Sequence, residues 1–338
     1  MENMEVKSLK GRNILVTGGT GFVGSHLVEE LVRQEANVVT TFISTSPLSY
    51  FFSRGLNKNA KMVQIDVCDF DKIFDIVTKY EIEYIFHLAA QALVETAYYN
   101  PRRTLETNIL GTLNILESTR LYPKIKAVVV ASSDKAYGKL DYQTLRVKDS
   151  KTLRVKKAKY FETDPLKGDH PYEVSKSAAD LISYSYFKTY NLPVVITRFG
   201  NIYGEGDLNF SRIIPGIMKA IVRSERLEVR SDGKYVRDYL YVKDVIGGYL
   251  LLAQNIDKVK GEAFNFGSDE TLNVIEVIKL IEKTLKKKIN YRILNTAKNE
   301  IHYQSLDYSK IKKSLGWVPK YKINSVLKRV FSWYKKII

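Results

Sequence analysis

The segment Thr17-Gly18-Gly19-Thr20-Gly21-Phe22-Val23-Gly24 limits what this chain can fold into more than any other. Before it runs Arg12-Asn-Ile-Leu-Val-Thr17, a short apolar, β-branched stretch that reads as a buried strand. After it comes a helical pattern from Phe22 to Arg33, with Leu27, Val28, Leu31 and Val32 on one stripe. Gly18, Gly21 and Gly24 allow a tight turn, close approach of backbone to a pyrophosphate, and close packing of helix on strand. The helix N-terminus then offers unpaired N–H groups and partial positive charge to the phosphates. Strand-like and helix-like segments alternate through residue 200, which predicts an α/β protein with a doubly wound parallel sheet.

A second signal lies roughly 150 residues further on. In Asp169-His-Pro-Tyr-Glu-Val-Ser-Lys176, the spacing of Tyr172 and Lys176 puts both on one helical face, one turn apart. A free tyrosine titrates near 10 and is a poor base at neutral pH. An ammonium within about 4–6 Å lowers that value by roughly 1–3 units, so the pair is a route to a proton-accepting phenol. Asp169 and Pro171 mark the start of this helix.

The glycine loop and the Tyr172–Lys176 pair together resemble the extended short-chain dehydrogenase/reductase family, in its nucleotide-sugar epimerase and dehydratase group. The resemblance covers nearly the whole chain. Asp66-Val67 follows the strand Lys61–Ile65, and His87-Leu88-Ala89-Ala90-Gln91 closes the fourth strand. Thr107-Asn108 with Gly111-Thr112 matches the family's helix asparagine motif, and Ser132-Ser133 ends the fifth strand, Lys126–Ala131. The segments Arg198-Phe-Gly-Asn201-Ile-Tyr-Gly204 and Arg237-Asp-Tyr-Leu-Tyr-Val-Lys-Asp244 match motifs around the sugar-nucleotide site.

The resemblance implies a Rossmann domain over 1–196 plus roughly 238–254, and a smaller α/β substrate domain over 197–237 and 255–338. It implies cofactor contacts from Gly18, Thr20, Gly21, Phe22, Val23, Gly24, Asp66, Val67, Leu88, Ala89, Ala90, Gln91, Asn108, Tyr172 and Lys176. Substrate contacts are implied for Gln91, Ser133, Asn201, Arg212 and Arg237, and nucleobase contacts for 208–235. The implied catalytic set is Tyr172, Lys176, Ser133, Asp134 and Lys135, with no metal. Homodimerisation through helices near 98–118 and 172–190 is also implied.

Residues 132–138 bear on which branch of the family this is. Epimerases usually carry a small residue after the hydroxyl residue, whereas 4,6-dehydratases place an acid there to expel the C6 hydroxyl as water. Asp134 fits that role. The next position is Glu in the dTDP-glucose enzymes, where it takes the C5 proton; here it is Lys135, and the Asp-Lys pair looks like CDP-glucose 4,6-dehydratase. Lysine normally titrates near 10.4, so Lys135 abstracts a proton only if burial or neighbouring cations lower that value. Otherwise it binds a phosphate or orients Asp134. A nucleotide-diphosphate-sugar 4,6-dehydratase is therefore the first reading, a 4-epimerase the second and a non-catalytic nucleotide sensor the third.

For the cofactor, an acid about 20 residues beyond the glycines would favour NAD. The second strand ends Val39-Thr40-Thr41-Phe42-Ile43-Ser44 without one, and Arg54 is the nearest base. The resemblance implies NAD, with NADP the alternative.

The net charge of +16 reads either as attraction of an anionic ligand or, the favoured reading, as a lysine-rich solvated face, concentrated at Lys283, Lys286, Lys287 and Lys288 and across 320–336. No helix-turn-helix, zinc-finger or RNA-binding signature accompanies it, so nucleic acid is not the expected partner. One cysteine, Cys68, excludes an internal disulfide and favours the cytoplasm. No run approaches the ~20 apolar residues that span a membrane. A basic insertion at 139–161 contains a duplication, Thr144-Leu-Arg-Val-Lys148 and Thr152-Leu-Arg-Val-Lys156, and reads either as a substrate lid or as a surface hairpin.

Overall fold

The computed structural model describes residues 8–139, 159–296 and 301–338, so the duplication and nearly all of the insertion lie outside the described residues. In chain order the strands are β1 (Asn13–Thr17), β2 (Asn37–Phe42), β3 (Lys61–Gln64), β4 (Tyr84–His87), β5 (Ala127–Ala131), β6 (Val194–Phe199) and β7 (Asn201–Tyr203). They continue as β8 (Leu227–Val229), β9 (Val236–Tyr241), β10 (Ala263–Phe266), β11 (Thr271–Asn273), β12 (Tyr291–Ile293) and β13 (Tyr303–Gln304). Seven of them form one parallel sheet in the order β10-β6-β5-β4-β1-β2-β3. The chain winds outward from β1 to β3, then crosses back to β4 and winds the other way. That reversal opens a crevice beyond the carboxyl ends of β1 and β4, where sheets of this kind bind ligands.

The central strands are apolar on both sides because helices cover both faces. One face buries Ile14, Val16, Phe86, Val129, Val195 and Phe199 against Leu27, Leu31, Val245, Tyr249 and Leu252. The other buries Leu15, Ile85, Val128 and Val130 against Ile73, Ile115 and Leu116. A separate core, with Tyr203, Ile217, Tyr241, Val277, Ile281, Leu327 and Val330, belongs to the smaller unit. At its centre β9 pairs with β7 and β13 in parallel and with β11 antiparallel.

The smaller unit differs from the sequence expectation of 255–338. Strand β10 lies within that span, yet it pairs with β6 in the large sheet, and Ile311, Leu315 and Trp317 pack into the large-sheet core. The physical reason is the open edge of β6: Ala263–Phe266 is a short, buried run that satisfies its unpaired backbone groups. Among the described residues, no helix is long and apolar enough to cross a membrane.

Candidate active site

The glycine loop is built by local packing. Gly18 has φ +69°, and a Cβ on it would lie 3.0 Å from the Ala89 backbone. A Cβ on Gly24 would lie 2.3 Å from the Gly18 carbonyl oxygen, so helix Phe22–Arg33 touches the loop directly. That helix starts at Gly21 with no side-chain cap, which leaves its first N–H groups for a ligand. Thr20, Phe22 and Val23 complete the same turn.

Thr17 then ties the loop to the end of β4. Its hydroxyl accepts from the backbone N–H groups of Leu88 and Ala89, each at 3.1 Å, and contacts His87 Nδ1 at 2.8 Å. With both acceptor sites engaged, the Thr17 proton goes to Nδ1. His87 Nε2 therefore donates to Thr112 at 3.2 Å, and Thr112 donates to the Asn108 carbonyl at 2.6 Å. This chain requires a neutral imidazole, and complete burial holds His87 down to about 3.

Asn108 lies in a π-type turn, Glu106–Leu110, within a helix covering 101–121. Its amide accepts from Gln91 N–H at 2.8 Å and donates to the Gln91 carbonyl at 3.1 Å and to Ser175 at 2.8 Å. It thus fastens the loop after β4, with Ala90 and Gln91, to the tyrosine helix Pro171–Tyr190. Asp66 accepts from Cys68 N–H at 3.0 Å and from Arg103 at 2.7 Å, which hold its carboxyl below the usual range against the opposing effect of burial. Val67 packs beneath Gly111.

The tyrosine helix begins one residue later than Asp169 suggests: His170 Nδ1 accepts the Tyr172 N–H at 3.2 Å, and Pro171 opens the first turn. Tyr172 is buried and hydrogen-bonded with Ser133. Ser133 Oγ donates to Asp134 Oδ1 at 2.9 Å and accepts from Lys135 N–H at 3.2 Å. Tyr172, Ser133 and Asp134 therefore share one hydrogen-bonded chain at the carboxyl end of β5.

Lys176 does not act as the sequence spacing suggests. Its ammonium donates to the Ala131 carbonyl at 2.8 Å, and burial lowers it to about 8. Burial, reinforced by the Asp134 carboxylate, pushes the Tyr172 phenol up to about 12, while the charge that opposes this is Arg212. The spacing of four sets both side chains on one face but cannot reveal the carbonyl that captures the ammonium. Among the protein's own groups, then, Tyr172 is held as a phenol.

Arg212 precedes helix Ile213–Arg223 and pairs with the buried Asp207 at 3.1 Å. Asn201 stands just beyond β6, and its buried side-chain nitrogen has no partner among the described residues; the same holds for Gln91 Oε1. Arg237 is the second residue of β9 and donates to the Val236 carbonyl at 2.9 Å. Arg198, placed by its motif near the sugar nucleotide, lies instead in the core. It makes two bonds to Asp180, at 2.8 and 2.9 Å, and one to the Tyr137 hydroxyl at 2.7 Å, bracing the tyrosine helix against the turn Asp134–Tyr137.

Sequence reasoning missed two neighbours of that turn. Gln304, on β13, accepts from the Lys135 ammonium, and Glu173 is a carboxyl that burial pushes above the usual range, opposed by its bond from the Asp169 N–H and by the Lys135 charge. Neither sits in a motif, and Gln304 is 169 positions from Lys135.

The family profile described as GDP-mannose 4,6 dehydratase matches residues 15–330. A relative named CDP-glucose 4,6-dehydratase, from Salmonella typhimurium, is 30% identical over 96% of this chain and 91% of its own length. The solved structure of UDP-glucose 4-epimerase from Thermotoga maritima with UDP-glucose superposes with a TM-score of 0.81 at 30% identity, over 96% of this chain and 99% of that one. That of dTDP-glucose 4,6-dehydratase from Bacillus anthracis, in complex with NAD, gives 0.80 at 27% identity, over 96% and 97%.

Proposed function

Since this chain belongs to the GDP-mannose 4,6 dehydratase family, we propose that it is a nucleotide-diphosphate-sugar 4,6-dehydratase holding NAD. The observation that carries the reading is Asp134, 6% exposed and bonded through Ser133 to Tyr172. An epimerase needs no acid at that point; a dehydratase must protonate a leaving hydroxyl.

The glycine loop fits a dinucleotide pyrophosphate, with its uncapped helix start and no space for a Cβ at Gly24. NAD rather than NADP is supported by Arg54, which is paired with Glu29 at 2.7 Å instead of lying open to a 2′-phosphate. When bound, NAD supplies the hydride acceptor and donor for the sugar. The rest falls to the protein. Tyr172, once ionised, takes the C4 hydroxyl proton as C4 is oxidised. The new ketone acidifies C5–H; Lys135 takes that proton, the C5 electron pair forms the C5–C6 double bond, and the C6 hydroxyl leaves as water with a proton from Asp134. Lys135 then returns its proton to C5 as the hydride is returned to C6, which gives the 4-keto-6-deoxy sugar.

The two halves are coupled through Ser133. Its single proton goes to Asp134 while that carboxylate is charged. Once Asp134 is protonated, ready to act as acid, the Ser133 proton is released to the Tyr172 oxygen, and the repulsion that adds to burial in holding the phenol up disappears. Arg212, Asn201, Gln91 and Arg237 are the candidate diphosphate and sugar contacts. The smaller unit, made of 200–237, 271–296, 301–304 and 318–338, supplies Asn201, Arg212 and Arg237, while Gln91 comes from the loop after β4. Exposed Leu110, Leu121, Leu181 and Tyr184, on helices 101–121 and Pro171–Tyr190, support a homodimer that pairs these helices. A cytoplasmic setting agrees with Cys68, whose thiol burial raises to about 11.

The test is incubation with CDP-, GDP-, UDP- and dTDP-hexoses, followed by a near-ultraviolet scan in alkali, where 4-keto-6-deoxy sugars absorb. The band is expected with at least one of them. A change in sugar stereochemistry without the band would transfer the protein to the epimerase branch.

A further inference from the structure

Gln304 is 1% exposed, and its side chain reaches the catalytic turn from the far end of the sequence. Its amide oxygen accepts from the Lys135 side-chain nitrogen, and its amide nitrogen donates to the Asp134 carbonyl at 3.1 Å. A lysine nitrogen in this contact donates and a carbonyl only accepts, so the amide has one workable orientation. Reversed, it would set N–H against N–H and oxygen against oxygen. In the same strand pair Gln304 lies in register with Arg237. One buried side chain thereby joins the strand of a candidate substrate arginine to both residues of the acid–base pair.

The turn itself does not depend on this link. Ser177 donates to the Ala136 carbonyl at 2.8 Å, Lys167 N–H donates to the same carbonyl at 2.9 Å, and Tyr160 donates to the Gly138 carbonyl at 2.8 Å. Tyr137 donates to Asn265 at 2.7 Å. Among the described residues, the charged and titratable groups around the turn include Asp134, Lys135 and Tyr137 on the turn itself, Tyr172, Glu173 and Lys176 from the tyrosine helix, and Glu162 and Lys167 from the segment before that helix. Asp169 lies beyond Glu173, and Arg198 on β6 is engaged by Asp180. Gln304, by contrast, is neutral.

We propose that Gln304 is a positioning residue for the elimination step, holding the Lys135 nitrogen through a neutral acceptor while fixing it to the Asp134 backbone. Neutrality matters because Lys135 must exist in two states. An amine and an ammonium both carry N–H, so the amide oxygen holds the nitrogen before and after it takes the C5 proton. A carboxylate at 304 would favour the ammonium and repel the Asp134 carbonyl. Asp134 loses one proton as Lys135 gains one, so the pair goes from amine and acid to ammonium and carboxylate, with water released.

The kinetic consequence rests on the dehydratase reading; the control of Lys135 does not. Two readouts on the full chain separate them: competitive acetylation of Lys135 against pH, mapped by mass spectrometry, and the pH profile of kcat for 4-keto-6-deoxy sugar formation. Gln304→Glu is expected to raise the Lys135 acetylation midpoint by about one pH unit or more, and to shift the rising limb of kcat upward with it. Gln304→Met, which keeps the volume and loses both bonds, is expected to lower kcat about 10–100-fold with KM within about twofold. An unchanged acetylation midpoint in Gln304→Glu overturns the proposal, as does a folded Gln304→Met enzyme of undiminished kcat. If Gln304→Met does not fold, the Gln304→Glu midpoint alone decides. A wild-type protein that makes no 4-keto-6-deoxy sugar removes the dehydratase reading and leaves the acetylation arm to judge Gln304.

Discussion

The loop 17–24 and the turn 132–138 both follow a parallel strand at the carboxyl end of one sheet. In the loop, the constraints come from a few adjacent residues and the strand beside them: Gly18 under Ala89, Gly24 against Gly18, Thr17 bound to the N–H groups of Leu88 and Ala89. In the turn, they come from across the chain. Tyr172 reaches Ser133 from the tyrosine helix, Arg198 and Asp180 brace Tyr137, and Gln304 holds Lys135 from β13. A backbone cradle for phosphate needs shape, which glycine spacing encodes. An acid–base site needs side chains at defined separations, which only packing supplies.

That contrast can be broken most directly at Tyr172. Tyr172→Phe is expected to lower kcat by about 10²–10⁴-fold or more, with the thermal midpoint nearly unchanged and nucleotide binding intact. A variant that keeps wild-type turnover would move the chemistry away from the turn altogether. Removal of the brace comes next. Asp180→Ala leaves Arg198 buried without its partner, the two side chains being 3% and 5% exposed. A loss of about 3–5 kcal/mol is expected in urea unfolding. If Asp180→Ala costs under 1 kcal/mol, the turn is held locally after all.

On the loop side, Gly24→Ala forces a methyl into the Gly18 carbonyl. Overpacking of this kind costs about 1–3 kcal/mol, and NAD binding measured by calorimetry should fall with it. Normal NAD affinity in that variant would show that the helix need not approach so closely. The last effect is seen only as a dependence on pH and concerns His87, which joins the loop to the helix carrying Asn108. Its imidazole is held down to about 3, below its ordinary 6.5. The stability it contributes is therefore full above about pH 6.5 and is lost as pH falls toward 3. Urea midpoints at pH 7 and pH 4 should separate less in His87→Gln than in the wild type; equal separation would mean that the histidine does not titrate on unfolding.

Much of the fold was legible in advance because its signals are short-range. The strand before the glycines, the helix after them and the alternation through residue 200 each arise within a window of a dozen residues. The placement of β10 was not, since an apolar run of four does not state which sheet edge it will fill. The candidate site divides the same way. Tyr172 stood out by type and spacing and Ser133 and Asp134 by resemblance to the family's motifs, and the structure brings the three into one hydrogen-bonded chain. The partner of Lys176 did not, because the Ala131 carbonyl is one of many identical groups in the chain and only the packing of helix on strand selects it.

By itself the amino-acid order determined the nucleotide cradle, the parallel sheet and the residue types that handle protons, since each depends on glycine freedom, apolar periodicity or side-chain chemistry. Only the tertiary structure decided the charge state and orientation of those residues. Burial raises Tyr172, the Ala131 carbonyl captures Lys176, and an amide from β13 meets Lys135. Electrostatic interaction depends on distance and on exclusion of water, and neither exists until segments remote in the chain have packed together.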